Sequence, residues 1–110
     1  MESKEFGHST IMKFKEKVEY SSEGIVSKRV LQKDKGNVSL FAFDKGQQLS
    51  EHSAPFDALV QVLDGEGEIV INGKSHILLE GESIIMPANV PHAVFASEKF
   101  KMLLTMIKSE

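Results

Sequence analysis

One stretch of the chain decides the fold prediction: "GQQLSEHSAPFDALVQVLDG", residues 46–65. A glycine stands at each end, and the second half is rich in valine and leucine. Successive residues of a strand point to opposite faces, so His52, Ala54 and Ala58, which are separated by even numbers, would share one face of a continuous strand. The stretch therefore predicts β structure that carries a histidine on its inward face.

Short β segments separated by turn residues continue on both sides of this stretch, about one every 8–12 residues, which is typical of a sandwich or barrel. Asn72-Gly73 predicts a two-residue type I′ hairpin, because both central residues of that turn need a positive φ. Residues 53–63 also admit a helix, with Ser53 as its cap, but the spacing of the motif below favours a strand.

The last segment, "FKMLLTMIK" at residues 100–108, has a rival interpretation as a helix because Met and Leu favour helices. Its neighbours are strands and it is short, so we predict a strand. In that strand Met102, Leu104 and Met106 share one face, and Leu103, Thr105 and Ile107 share the other.

A second stretch completes the pattern: "GESIIMPANVPHAVFA", residues 81–96. Together the two stretches resemble the two motifs of the cupin family, G-x5-H-x-H-x3-E-x6-G and G-x5-P-x-G-x2-H-x3-N. The first spacing runs through His52 to Gly65, and the second runs from Gly81 through Pro87 to His92. The resemblance covers about residues 36–107.

The resemblance implies an all-β, antiparallel fold, the double-stranded β-helix or jelly-roll barrel of small single-domain cupins. It implies one barrel domain over residues 11–110, with the motifs at 46–65 and 81–96. Residues 1–10 are expected to form a flexible or partner-contacting arm, because terminal segments are poorly ordered unless tied down.

The departures from the family motifs are Ala54, Ala58, Asn89 and Ala96. In the family, two histidines and a glutamate of the first motif bind one divalent metal together with the histidine of the second. Carried over by position, His52 and His92 are present, and the two alanines stand where the other ligands belong. The resemblance therefore implies a barrel with a degenerate metal site.

Two histidines alone make an incomplete site. Zinc takes at least three protein ligands, and iron(II) oxygenase sites use two histidines and a carboxylate. A bulge near Pro55 would turn Asp57 inward as a third ligand beside His52 and His92. The cofactor expectation is thus a divalent metal, Zn, Mn, Fe or Ni, that is weakly bound or absent.

A mostly apolar cavity with a few converging polar groups is typical of a small-molecule site. The residues expected to line it are His52, His92, Phe41, Phe43, Val60 and Met86. Three functions remain open: a barrel that binds a small organic ligand, a metal-dependent enzyme of the cupin isomerase, dioxygenase or lyase type, and a purely structural cupin with a closed core.

His92 is expected on the sheet that opposes His52.

The composition of the chain excludes some classes of chemistry and of binding partner. The chain has 110 residues, no cysteine and a formal net charge of -3, with scattered basic residues, so neither thiolate chemistry nor nucleic-acid binding is expected. The N-terminus is polar and no apolar run reaches the roughly 18 residues of a membrane span, which predicts a cytoplasmic protein. Several strands are apolar on both faces, so we predict a homodimer with strand exchange by the N-terminal segment.

Overall fold

The chain forms a curled antiparallel β sheet. A computed structural model describes residues 5–108. A short 3₁₀ helix, Phe14–Glu16, precedes the sheet. The strands are β1 (Ile25–Lys33), β2 (Gly36–Phe43), β3 (Gln48–His52), β4 (Asp57–Ile71), β5 (Lys74–Leu79), β6 (Ser83–Met86), β7 (His92–Phe95) and β8 (Phe100–Ile107). The predicted all-β jelly-roll architecture is confirmed, and so is the strand prediction for the last segment.

The longest strand, β4, holds the sheet together. The hydrogen-bonded order is β1-β2-β8-β4-β7-β3, and β5 and β6 also pair with β4. The first half of β4 pairs with β6 and β8, and its second half pairs with β5 and β7. One strand of 15 residues therefore belongs to both halves of the barrel.

A bulge in the middle of β4 makes this possible. The pairing with β8 shifts register between Val62 and Asp64, and Gly65 follows with a φ of 79°. An extra residue in one strand bends it and resets which residues face inward. Val60 and Val62 are buried before the bulge, and Ile69 is buried after it.

The inner core fills the space between the two halves. The buried members of this inner core are Phe43, Ala58, Val60, Val62, Ile69, Leu78, Met86, Val94, Ala96, Phe100 and Met102. The Phe43 and Phe100 rings stack with their centroids 4.8 Å apart. Offset-stacked aromatic pairs add about 0.5–1.5 kcal/mol beyond the apolar area that they bury.

Two turns require residues that tolerate a positive φ. Asn72 and Gly73 both have a positive φ, 50° and 82°, as the predicted hairpin requires. Asn89, which stands where the family motif has glycine, has a φ of 64°. Asparagine tolerates the left-handed region better than most residues, so this substitution leaves the turn intact.

The N-terminal segment covers the outer face of the sheet. An outer cluster forms around the buried residues Val18, Leu40 and Ala42, and Phe6 and Phe14 pack against it. Glu5 also forms an ion pair with Lys28. Part of the predicted arm thus lies on the sheet of its own chain, and residues 1–4 lie outside the described residues. No helix in the described part of the chain is long and apolar enough to span a membrane.

Tyr20 fastens this segment to the barrel. Its hydroxyl donates to Asp64 Oδ2 over 2.6 Å, and the Lys99 and Lys101 ammonium groups lie 4.9 and 5.1 Å from its ring centre. Burial raises the pKa of the Tyr20 hydroxyl far above its ordinary range, and the bond to Asp64 adds to this. The same bond lowers the pKa of the Asp64 carboxyl.

We expect Tyr20→Phe to lower the free energy of unfolding by about 1–2 kcal/mol, because the ring is kept while Asp64 loses a charge-assisted hydrogen bond. Urea denaturation measures this change. Thr10→Val removes a hydrogen bond in an exposed position, from Thr10 Oγ1 to the His8 carbonyl, and should cost less than about 0.5 kcal/mol. Equal losses in the two variants would contradict a special role for Tyr20.

Candidate functional site

A cavity opens into the barrel between β3, β4, β6, β7 and β8. Its lining residues are Leu49, His52, Ala54, Phe56, Ala58, Met86, His92, Val94, Met102, Leu104 and Met106. The cavity has a volume of about 60 Å³ and opens to solvent at its mouth. The walls are almost wholly apolar, and the two imidazoles are the polar groups within them.

The two histidines meet across neighbouring strands. His52 on β3 and His92 on β7 are direct antiparallel partners, and their ring centroids lie 4.4 Å apart at an angle of 70°. The expectation that they lie on opposing sheets is wrong. The β3–β7 pairing shifts register between Leu49 and His52, so that Leu49 and His52, three positions apart, both line the cavity.

Backbone carbonyls fix the tautomer of each imidazole. His52 Nδ1 lies 2.7 Å from the Ser50 carbonyl oxygen, and His92 Nδ1 lies 3.1 Å from the Val90 carbonyl oxygen. A carbonyl only accepts hydrogen bonds, so each Nδ1 carries the proton and donates. In the neutral ring Nε2 then carries the lone pair. The pair therefore offers two acceptor nitrogens.

His92 is held neutral by its surroundings. Its residue exposure is 6%, whereas His52 is exposed. Burial lowers the pKa of His92 below its ordinary value; the Val90 carbonyl opposes this shift, and the neighbouring His52 adds to it. His92 is accordingly uncharged at neutral pH.

Asp57 is engaged elsewhere. It is exposed, and its Oδ1 accepts a hydrogen bond of 2.9 Å from the Ala88 backbone N–H. The next residue of that loop, Asn89, donates its backbone N–H to the Ala54 carbonyl over 2.8 Å. These two bonds tie the loop of the second motif to the start of β4. Between residues 5 and 108, no group of three or more His, Cys, Asp or Glu is placed to hold a metal ion.

Comparison with known proteins agrees with this architecture. The family model of the cupin domain matches residues 39–108, which is more than half of the chain. The chain belongs to the cupin family.

Solved structures of other cupins are similar over most of the chain. A conserved protein of unknown function from Streptococcus pyogenes is 36% identical with a TM-score of 0.90, covering 94% of this chain and 91% of that one. A cupin 2 conserved barrel domain protein from Leptotrichia buccalis is 49% identical with a TM-score of 0.84; the match covers 86% of this cupin but 46% of that longer chain.

More distant structures share the fold alone. A salicylate 1,2-dioxygenase from Pseudaminobacter salicylatoxidans is 19% identical with a TM-score of 0.71, covering 76% of this cupin and 26% of that enzyme. No curated protein sequence matches this cupin.

The divalent metal of the family does not fit the donors of this cupin. Ala54 and Ala58 line the cavity at the two positions where the family has ligands, and Asp57 binds the Ala88 amide instead of reaching the histidines. The remaining nitrogen donors, His52 and His92, fall short of the three protein ligands that zinc takes.

Of the other residues predicted to line the cavity, one does so and three lie elsewhere in the barrel. Met86 lines the cavity, beside the two histidines. Phe41, Phe43 and Val60 do not line the cavity. Phe43 stacks between Phe41 and Phe100, the first residue of β8. Val60 is fully buried in the inner core. On β8 the cavity is lined by Met102, Leu104 and Met106, which follow Phe100 along the strand.

Sequence reasoning missed Leu49, Phe56, Met102, Leu104 and Met106 as lining residues. For β8 a signal existed, because the alternation placed its two methionines and Leu104 on one face. The alternation alone does not show whether the face with the two methionines and Leu104 points into the barrel or away from it.

Acid should destabilise this cupin partly through His92. Because the native pKa of His92 is lowered, the unfolded chain binds more protons, so this contribution to stability is complete above the unfolded pKa of about 6.5 and is lost as the pH falls toward the native pKa. We expect His92→Gln to weaken the loss of unfolding free energy between pH 7.5 and pH 5.5. His8→Gln, outside the cavity, serves as the control. If the unfolding free energy of His92→Gln depends on pH as steeply as that of the unmodified protein, His92 does not contribute to the loss of stability in acid.

Proposed function

We propose that this cupin is a binding module whose cavity holds a small, uncharged and mostly apolar molecule. The molecule would donate hydrogen bonds to the Nε2 atoms of His52 and His92. The observation that carries the proposal is the pair of imidazoles, 4.4 Å apart in an apolar cavity, with both Nδ1 atoms already bonded to backbone carbonyls.

The lining supports this choice of ligand class. Among the described residues that line the cavity, there is no Lys, Arg, Asp or Glu, so no charged side chain there compensates the desolvation of a charged organic group. Met86, Met102 and Met106 provide sulfur atoms, which make favourable contacts with aromatic rings. The narrow interior suits a ligand of few atoms, part of which remains in the mouth.

Binding of simple probes tests the proposal. Phenol carries a ring and one donor, benzene lacks the donor, and benzoate carries a charge. We expect phenol to bind on the order of ten-fold more tightly than benzene and benzoate, which corresponds to about one net hydrogen bond. Chemical-shift titration of amide resonances, with the metal-free protein, measures the dissociation constants.

The variants make the test specific. His52→Phe and His92→Phe should remove the preference for phenol over benzene while keeping an apolar ring in place. Ile11→Ala, at a fully exposed side chain of the N-terminal segment, should leave it unchanged. Equal affinity for phenol and benzene in the unmodified protein, or tighter binding of benzoate, would overturn the proposal.

We also propose that the protein works as a homodimer in the cytoplasm. Large aliphatic side chains on the outside of β5 and β6 support an interface: Ile77, Leu79 and Ile85 are 52%, 51% and 62% exposed. The outer cluster does not require an exchanged arm, because the N-terminal segment of the same chain covers it. A monomer in sedimentation velocity at micromolar concentration would contradict the dimer, and cell fractionation checks the location.

A further inference from the structure

Sulfur lines the same cavity as the two histidines. Met86, Met102 and Met106 all contribute to its wall, and they are three of the five methionines in the chain. The donor atoms that the wall can offer to an ion are thus imidazole nitrogen and thioether sulfur.

Two of these methionines flank the position that the family motif gives to a carboxylate. Ala58 on β4 pairs with Met86 on β6 and with Met106 on β8. Directly opposite residues of neighbouring antiparallel strands project from the same face of a sheet. The alanine therefore leaves room on the inward face, and a thioether side chain stands on either side of it.

The nitrogen donors are already oriented. Each imidazole donates its Nδ1–H to a backbone carbonyl, Ser50 for His52 and Val90 for His92. A hydrogen bond of this kind fixes the ring and leaves Nε2 free, and it is the usual support of a metal-binding histidine. The cavity thus has two oriented nitrogen donors that nothing else in the described structure occupies.

This donor set selects a soft ion. Thioether sulfur favours Cu(I), whereas Mg(II), Ca(II) and Mn(II) prefer carboxylate and water oxygens. A monovalent ion also brings only one positive charge into an apolar cavity that has no carboxylate to neutralise it. The exposed edge at His52 provides the way in.

We propose that the cavity is a Cu(I) site formed by Nε2 of His52 and His92 together with the thioether sulfur of Met86, Met106 or both. The site does not rest on the proposed organic ligand, because its donors belong to the protein. The two occupants would use the same nitrogen atoms, so Cu(I) should displace phenol.

Anaerobic competition with the Cu(I) chelator bicinchoninate tests the site on the full, untagged chain. We expect one Cu(I) per chain, and no stoichiometric binding in the double variant His52→Gln/His92→Gln. Met86→Leu/Met106→Leu should bind Cu(I) at least about ten-fold more weakly. Leucine is close to methionine in volume, so this variant keeps its fold, which its NMR spectrum verifies.

Met12→Leu is the matched control, because Met12 lies outside the cavity and its replacement should leave the affinity unchanged. A second measurement uses Ag(I), which resists oxidation: the methyl resonances of Met86 and Met106 should shift on its addition, and that of Met12 should not. If the methionines serve only as core packing, the Met86→Leu/Met106→Leu variant will bind Cu(I) as the unmodified chain does.

That result, or the absence of stoichiometric Cu(I) binding, would overturn the proposed copper site. Neither result bears on the binding of phenol to the metal-free protein, which is measured separately.

Discussion

Gly65→Ala is expected to cost roughly 3–5 kcal/mol of stability, enough to unfold much of the protein. Gly65 has a φ of 79°, and a Cβ atom at this position would lie 2.0 Å from the Lys99 carbonyl oxygen and 3.0 Å from Phe100 Cα. Both neighbours are backbone atoms, one in the residue before β8 and one in the first residue of β8. No change of rotamer relieves the contact, so β4 and β8 would have to move apart at the bulge.

Gly73→Ala separates this steric cost from the cost of the backbone conformation. Gly73 has nearly the same φ, 82°, but an added Cβ would meet nothing within 4 Å. Its cost should be only the 1–2 kcal/mol or so that an L-residue loses in the left-handed region. Urea unfolding of both variants provides the comparison. Equal losses would mean that the close approach of β4 and β8 at Gly65 contributes nothing.

The second large effect is a gain of divalent metal binding in Ala54→His/Ala58→Glu. Both alanines line the cavity with His52 and His92, so the variant offers three imidazoles and a carboxylate. Four such ligands meet the demand of Zn(II) or Ni(II), whereas the unmodified chain meets half of it. We expect one ion per chain to survive dialysis in the variant, with an affinity on the order of 100-fold above that of the unmodified protein.

Stability provides an independent measurement of the same change. Ala58 is buried, so an unpaired glutamate there should destabilise the metal-free variant. Added Zn(II) should then raise its melting temperature in proportion to the logarithm of the free ion concentration. Ala54→His/Ala58→Gln is the matched control, with an amide of the same size. Metal content and thermal shift equal to those of the control would show that position 58 does not reach the ion.

The parts of this structure that follow from local backbone demands were predictable from the sequence. Asn72 and Gly73 specify their hairpin through their conformational preferences. The framework residues Gly46, Gly65 and Gly81 of the two motifs all adopt a positive φ, a conformation that favours glycine. His52 and His92 line one cavity, in keeping with the motif positions that they occupy.

The parts that depend on a partner strand were not predictable. The register shift beside His52 exists only relative to β7, so the sequence did not show that His92 pairs with His52 in the same sheet. The alternation groups Met102, Leu104 and Met106 on one face of β8, but it does not show whether that face points into the barrel. The predicted lining therefore does not include Met102 and Met106. The orientation of the Asp57 side chain depends on one hydrogen bond from the Ala88 amide, 31 positions away in the chain, and no local sequence pattern reveals that bond.

The long strand β4 also has a consequence for how the protein folds. It pairs with β5, β6, β7 and β8, and its pairing with β8 joins Asp57 to Ile107, residues 50 positions apart in the chain. The chain must close large loops before β4 acquires most of its partners, and barrels dominated by such non-local pairing fold over milliseconds to seconds. Once paired, β4 should open only with the whole barrel, so its amide protons are expected to exchange with solvent last, at the rate set by global unfolding.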